Sequence, residues 1–107
     1  MKIQVLMMPA DRPAYATNIE NTLKNMQKTV GGHIECVKLS SGDVLVVNEE
    51  GKLQGLPVNK NIKKGTFRGD VIVGDCFICG QAGEELTDIN DLTKRVWLTA
   101  ARKAWED

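Results

Sequence analysis

The sequence predicts an α+β fold: one small domain with a mostly antiparallel sheet of four to five strands, a short helix at about 21–30 and a longer C-terminal helix at about 87–105. Three observations carry this. Strand-like stretches of alternating or β-branched apolar residues recur along the chain, and most are joined by hairpin-length links. A helical period is visible only twice, at uneven positions, which argues against a bundle and against a doubly wound α/β fold. The length of 107 residues suits a single domain spanning 1–107, large enough to hold a core without disulfide staples.

Taken in order, Lys2–Met8 is apolar and partly alternating and predicts the first strand, with turn chemistry at Pro9–Pro13. Tyr15, Thr17 and Ile19 alternate with small or polar residues and predict a second strand closing a hairpin. Asn21 is the expected N-cap of the short helix, Leu23, Met26, Gln27 and Val30 keep its period, and Gly31-Gly32 ends it. His33–Leu39 and Asp43–Val47 predict two strands around a Ser40-Ser41-Gly42 turn, the second continuously apolar and well buried. Residues 52–68 are irregular. Val71–Cys79 returns to strand composition, with Gly74 marking a bulge or a close backbone approach.

The C-terminal helix is expected to be capped by Thr87 or Asp88, with Asp91 in its first turn and Arg102 and Lys103 toward its end, as the macrodipole favours. Ile89, Leu92, Val96, Trp97, Ala100 and Ala104 form one apolar stripe, read as the core face. Leu98, Ala101 and Trp105 form a second stripe pointing elsewhere, read as a subunit or partner contact, so a homo-oligomer is expected. Both helices are expected on one face of the sheet.

Composition excludes several classes. Lys+Arg and Asp+Glu balance at 14 each, so a generally nucleic-acid-binding surface is not expected. No apolar run approaches the ~20 residues of a membrane span, and no signal-peptide pattern is visible, so a cytoplasmic protein is expected. Three cysteines in that setting read as reduced thiols or a metal site rather than a disulfide framework.

Three stretches resemble a known family: residues 21–37 (NTLKNMQKTVGGHIECV), residues 48–59 (NEEGKLQGLPVN) running on to Gly69-Asp70, and residues 74–87 (GDCFICGQAGEELT). The chain is similar over residues 1–87 to the family catalogued as domain of unknown function 3846, with the string at 48–59 the most specific part. The resemblance implies an accessory protein of a phage or other mobile element. It supplies no catalytic residues, and Cys76 and Cys79 depart from the family pattern.

Chemistry-bearing residues are few. Cys76-x-x-Cys79 with His33-x-x-Cys36 has the ligand count of a zinc site. In extended strands, however, residues three apart point to opposite faces, so neither metal nor other cofactor is expected. Glu49-Glu50 and Glu84-Glu85 flank turn glycines, where solvent keeps carboxylates ordinary, and a lone His33 has no triad partners. No enzyme signal emerges.

The strongest local feature is basic. Lys60, Lys63, Lys64 and Arg68 stand together with no acid among residues 59–68. With Asn48 and Asn59 they are read as a ligand-binding set, amides reading a base or ribose edge while cations neutralise phosphate. The alternative is turn-making asparagines and solvated lysines. The expectation is a non-enzymatic binding module that sequesters a nucleotide-derived signal or binds a host protein. A regulator or adaptor acting through the C-terminal helix is the alternative, and a small zinc-assisted enzyme ranks last.

Overall fold

The computed structural model describes residues 1–106. Its strands are β1 (Lys2–Met8), β2 (Tyr15–Glu20), β3 (Ile34–Lys38), β4 (Val44–Asn48), β5 (Thr66–Phe67), β6 (Asp70–Val71), β7 (Cys76–Ala82) and β8 (Glu85–Thr87). The helices are α1 (Leu23–Val30) and α2 (Asp91–Glu106). The main sheet runs β2-β1-β7-β4-β3 with every pairing antiparallel, and β8 pairs with β7. The protein is α+β, with a mostly antiparallel sheet and two helices.

Local chemistry explains the elements. Both sequence-predicted hairpins form, β1 with β2 and β3 with β4. Thr22, one residue after the expected Asn21, caps α1 by accepting from the Asn25 N–H at 3.1 Å. Asn21 instead donates to the Leu86 carbonyl at 2.9 Å. Gly31 ends the helix in the left-handed region, φ 82°. The stretch at 71–79 is two strands rather than one. Gly74 lies between them at φ 77°, and a Cβ there would meet Leu56 Cδ1 at 2.6 Å, so the close approach is real but precedes β7.

The helices lie on opposite faces of the sheet, not on one. Val44–Val47 and Cys76–Cys79 are buried along their whole length, so both faces of β4 and β7 are apolar and both need cover. On one face, Met26 and Val30 of α1 pack with Val5, Val44, Val46 and Phe77. On the other, Trp97 and Leu98 of α2, with Ile62 and Ile72 of the irregular segment, pack over Leu6, Met8, Leu45 and Ile78.

The orientation of α2 also corrects the sequence reading. Thr87 ends β8, and the Asp88 carboxylate accepts from the Gln4 N–H at 2.7 Å. The cap is Asn90, whose Oδ1 accepts from the Leu92 N–H at 2.9 Å. Leu98, Ala101 and Trp105 face inward: Ala101 is buried, Leu98 joins the core, and Trp105 Nε1 donates to Asn61 Oδ1 at 2.7 Å. Their inner sides are taken up by the chain itself, while Leu98 and Trp105 stay partly exposed and, with Ala101, line a depression beside Pro13 and Ala14. The exposed large apolar residues of α2 are Leu92 and Val96, at 68% and 57%.

Candidate functional site

The asparagines of the expected ligand set are structural. Asn48 is buried at the end of β4; its Nδ2 donates to the Val30 carbonyl at 3.1 Å and its Oδ1 accepts from the Glu50 N–H at 2.8 Å. Asn59 is wholly enclosed, donating to the carbonyls of Met8 and Gly74, each at 2.9 Å, and accepting from the Asn61 N–H at 2.9 Å. Asn61 continues the network, donating to the Pro9 carbonyl at 2.6 Å while its Oδ1 takes Ala14 N–H and Trp105 Nε1. Asn59 and Asn61 stand in for a secondary-structure ladder in a segment that has almost none, and the N–H donors of all three amides are taken by partners within the chain.

The basic residues are exposed but do not converge on one cavity. Lys60 lies over the Trp105 ring, its Nζ 5.7 Å from the centroid. Lys63 lines a depression with Lys103 beside the C-terminal half of α2, whereas Arg68 lines a different groove. Lys64 adopts φ 57°, just before Gly65. Asn48 borders a third depression, on the far side of the 48–54 turn.

Arg68 is the member of the set that the fold fixes in place. Phe67 of β5 and Asp70 of β6 are paired across a two-residue turn, Arg68-Gly69, with φ 53° and 79°. Positive φ at both positions marks a type I′ hairpin, which accounts for the unusual arginine backbone. The turn lays the guanidinium over Phe67, with Cζ 4.8 Å from the ring centroid, and Nη1 donates to the Lys38 carbonyl at 2.8 Å. An arginine tethered at one nitrogen keeps other N–H donors for an incoming group.

Beside it runs a groove of about 660 Å³ between α2, the β5–β6 hairpin and the Ser40-Ser41 turn. Its floor is the Phe67–Trp97 pair, with ring centroids 5.3 Å apart and planes tilted by 58°. Leu92 and Val96 form one wall and Arg68 the rim, and no carboxylate lines it. The nearest helical acid, Asp91, is held by Lys94 at 3.3 Å and Arg95 at 2.8 Å, and these cations lower its pKa. The groove combines an aromatic floor, apolar walls, hydroxyls and one positive charge at its rim; behind its lining the buried Asp43 carboxylate accepts from Ser41 Oγ at 3.0 Å and the Asn90 N–H at 3.2 Å.

Of these residues the sequence reading reached only Arg68 as ligand-binding. Phe67 was visible as the lone aromatic of the basic stretch, and Arg68-Gly69 could have been read as a hairpin turn, which would have joined the two. Leu92, Val96 and Trp97 were assigned to the core.

A family model described as Domain of unknown function (DUF3846) matches residues 1–98. The chain belongs to this family. No curated protein and no solved structure matches it. The DUF3846 match runs past the resemblance at 1–87 and takes in the first half of α2, so Phe67, Arg68, Leu92, Val96 and Trp97 all lie within the shared region. Trp105 lies beyond it.

The remaining groups of this DUF3846 protein sit apart from the groove's open side. Cys76 packs under α2 and Cys79 under α1, on opposite faces of the sheet. Burial pushes each thiol up to about 12, with Asp75 adding to the effect at Cys76 and Cys36 and Asp43 at Cys79. Cys36 is exposed on β3, and partial burial with the Glu35 charge raises its pKa too. Thiols held protonated are poor nucleophiles. Among the described residues no three or more His, Cys, Asp or Glu side chains are grouped to hold a metal ion. Glu49, Glu50, Glu84 and Glu85 are exposed. No helix among those residues is long and apolar enough to cross a membrane.

Proposed function

We propose that this protein is a binding module and that the groove beside Arg68 is its site. The ligand is a small molecule joining a planar, largely apolar part to an anionic group, the chemistry of a nucleotide. The observation that carries this reading is the guanidinium fixed over Phe67 at the rim of an aromatic-floored groove without a carboxylate in its lining. Rings stack on such a floor, and a tethered arginine pairs with phosphate or carboxylate without losing further side-chain freedom. The volume lies within the range of small-molecule sites. In the mobile-element setting that the resemblance implies, such a module acts by sequestering a nucleotide-derived signal of its host.

Tryptophan fluorescence tests this. Titration with ADP-ribose and with cyclic nucleotides is expected to give a saturable quench that Trp97→Phe removes. Arg68→Ala weakens binding by about tenfold or more, the range for a lost charge-assisted contact. Unchanged fluorescence with every nucleotide tried contradicts the reading.

A second reading, an adaptor acting through α2, is favoured by the exposure of Leu92 and Val96 one turn apart. It predicts no small-molecule response and a protein contact abolished by Leu92→Glu.

A further inference from the structure

The sheet has two outer edges, β2 and β3, and the fold treats them differently. In an antiparallel ladder alternate residues turn their N–H and C=O groups toward the neighbour, and those between turn them outward. On β2 the phase is set by the Asn21 N–H, which donates to the Met1 carbonyl at 2.9 Å in the register that pairs Ile19 with Ile3 and Thr17 with Val5. Ala16, Asn18 and Glu20 therefore turn outward. The Glu20 carbonyl is occupied by the Thr22 N–H at 2.9 Å and Asn25 Nδ2 at 3.3 Å. Among the described residues nothing pairs with the outward backbone groups of Ala16 and Asn18.

On β3 the phase is set by Glu49 N–H to His33 carbonyl at 2.8 Å, so Ile34, Cys36 and Lys38 turn outward. That edge is blunted. Arg68 Nη1 occupies the Lys38 carbonyl, as Thr22 and Asn25 occupy that of Glu20 on β2. Among the described residues the outward groups of Ile34 and Cys36 are likewise unpaired, so what sets this edge apart is charge: the strand carries Glu35 and Lys38. Charges and covering groups are the usual protection of a strand edge. β2 has neither lysine nor proline, and its one charge, Glu20 at the far end, is 3.3 Å from the N-terminal ammonium.

We propose that β2 is an association edge and that its occupant is a second copy of this chain. The two β2 strands pair antiparallel about a twofold axis, with Thr17 opposite Thr17. The sequence of the strand is self-complementary in that register. Each Ala16 meets an Asn18 of the other copy and exchanges N–H and C=O with it, and each Tyr15 meets an Ile19 on the α1 face of the sheet. Aromatic–β-branched and Thr–Thr pairs are favourable across strands, and no like charges meet. Tyr15 is 45% exposed and Ile19 is half-buried, so the pairing covers apolar surface that the monomer leaves wet. The register with Asn18 opposite itself sets Tyr15 against Asn21, a poorer pair. A C2 contact of this kind joins two six-stranded sheets into one and leaves the α2 groove open.

Sedimentation velocity over a wide concentration range tests it. The unmodified protein is expected to show a dimer fraction that rises with concentration. Asn18→Pro removes only an outward N–H, a position where an edge strand tolerates proline, and gives a monomer with unchanged far-ultraviolet circular dichroism. Thr17→Lys and Thr17→Glu are each monomeric, and an equimolar mixture of the two restores the dimer. These charge variants decide the matter even where the proline variant folds poorly. A monomer at every concentration, a dimer that survives Thr17→Lys, or a mixture that stays monomeric overturns the proposal.

Discussion

The two faces of the central sheet are covered in different ways. The α1 face is closed by a short regular helix whose C-terminal end is held by Asn48. The α2 face is closed by a longer helix together with a segment that has almost no ladder of its own, fastened by the enclosed amides of Asn59 and Asn61. Regular packing seals the first face over Phe77. The second closure leaves α2 standing off from the β5–β6 hairpin, and the gap between them is the groove with its aromatic floor. Irregular chain is harder to pack flush against a helix than a helix is against a sheet, and the proposed binding surface lies where the packing is irregular.

Substitutions separate the two faces, beginning with the largest effect. Phe77→Ala on the α1 face is expected to lower stability by about 4 kcal/mol, the usual cost of emptying a large core site, while leaving nucleotide affinity of the folded fraction intact. Chemical denaturation with a parallel fluorescence titration checks both halves.

Asn59→Ala follows at about 3 kcal/mol, because it strands the Met8 and Gly74 carbonyls and the Asn61 N–H in the interior. In this case affinity is expected to fall with stability, since residues 61–68 lose their fastening. Equal affinity in the folded fraction would show that the amide network does not hold the groove.

Smaller still is a pH effect shared by the faces. Cys76 and Cys79 are pushed up to about 12 from an ordinary value of 9.0, so the folded state holds protons that the unfolded chain releases. Stability is therefore full below pH 9 and falls as pH rises from 9 toward 12, by about 1 kcal/mol per thiol at pH 10. The urea midpoint measured at pH 8 and pH 10 reads this, and the difference should shrink in Cys76→Ala and again in Cys79→Ala.

Leu92→Ser completes the series. Its side chain is largely in solvent, so stability should stay within about 0.5 kcal/mol, while affinity falls severalfold through the lost wall.

Legibility from sequence follows the same division. The hairpins, α1 and the buried β4 run were readable because their signals are local: alternation, turn residues and a glycine stop. The orientation of α2 was not. Ile89 was counted in the helical wheel, yet it precedes the Asn90 cap, and the inward position in the first turn is polar Thr93. The inward line of α2 runs Thr93, Trp97, Ala101 and Trp105, each four residues from the last, and a polar first member and a small alanine hide it beside the larger but exposed Leu92 and Val96. The enclosed position of Asn59 is illegible for another reason: its partner carbonyl at Met8 is 51 residues away, and no local pattern announces so distant a bond. Arg68 was found by its charge, but its partner ring Trp97 is joined to it only by the fold.

The central claim is that ligand enters between α2 and the β5–β6 hairpin. Amide chemical-shift mapping during a nucleotide titration tests it most directly. Shifts are expected to gather at residues 39–41, 66–68 and 90–97, with α1 and its face of the sheet silent. Shifts centred on the 48–54 turn or on α1, or none at saturating nucleotide, would contradict the account.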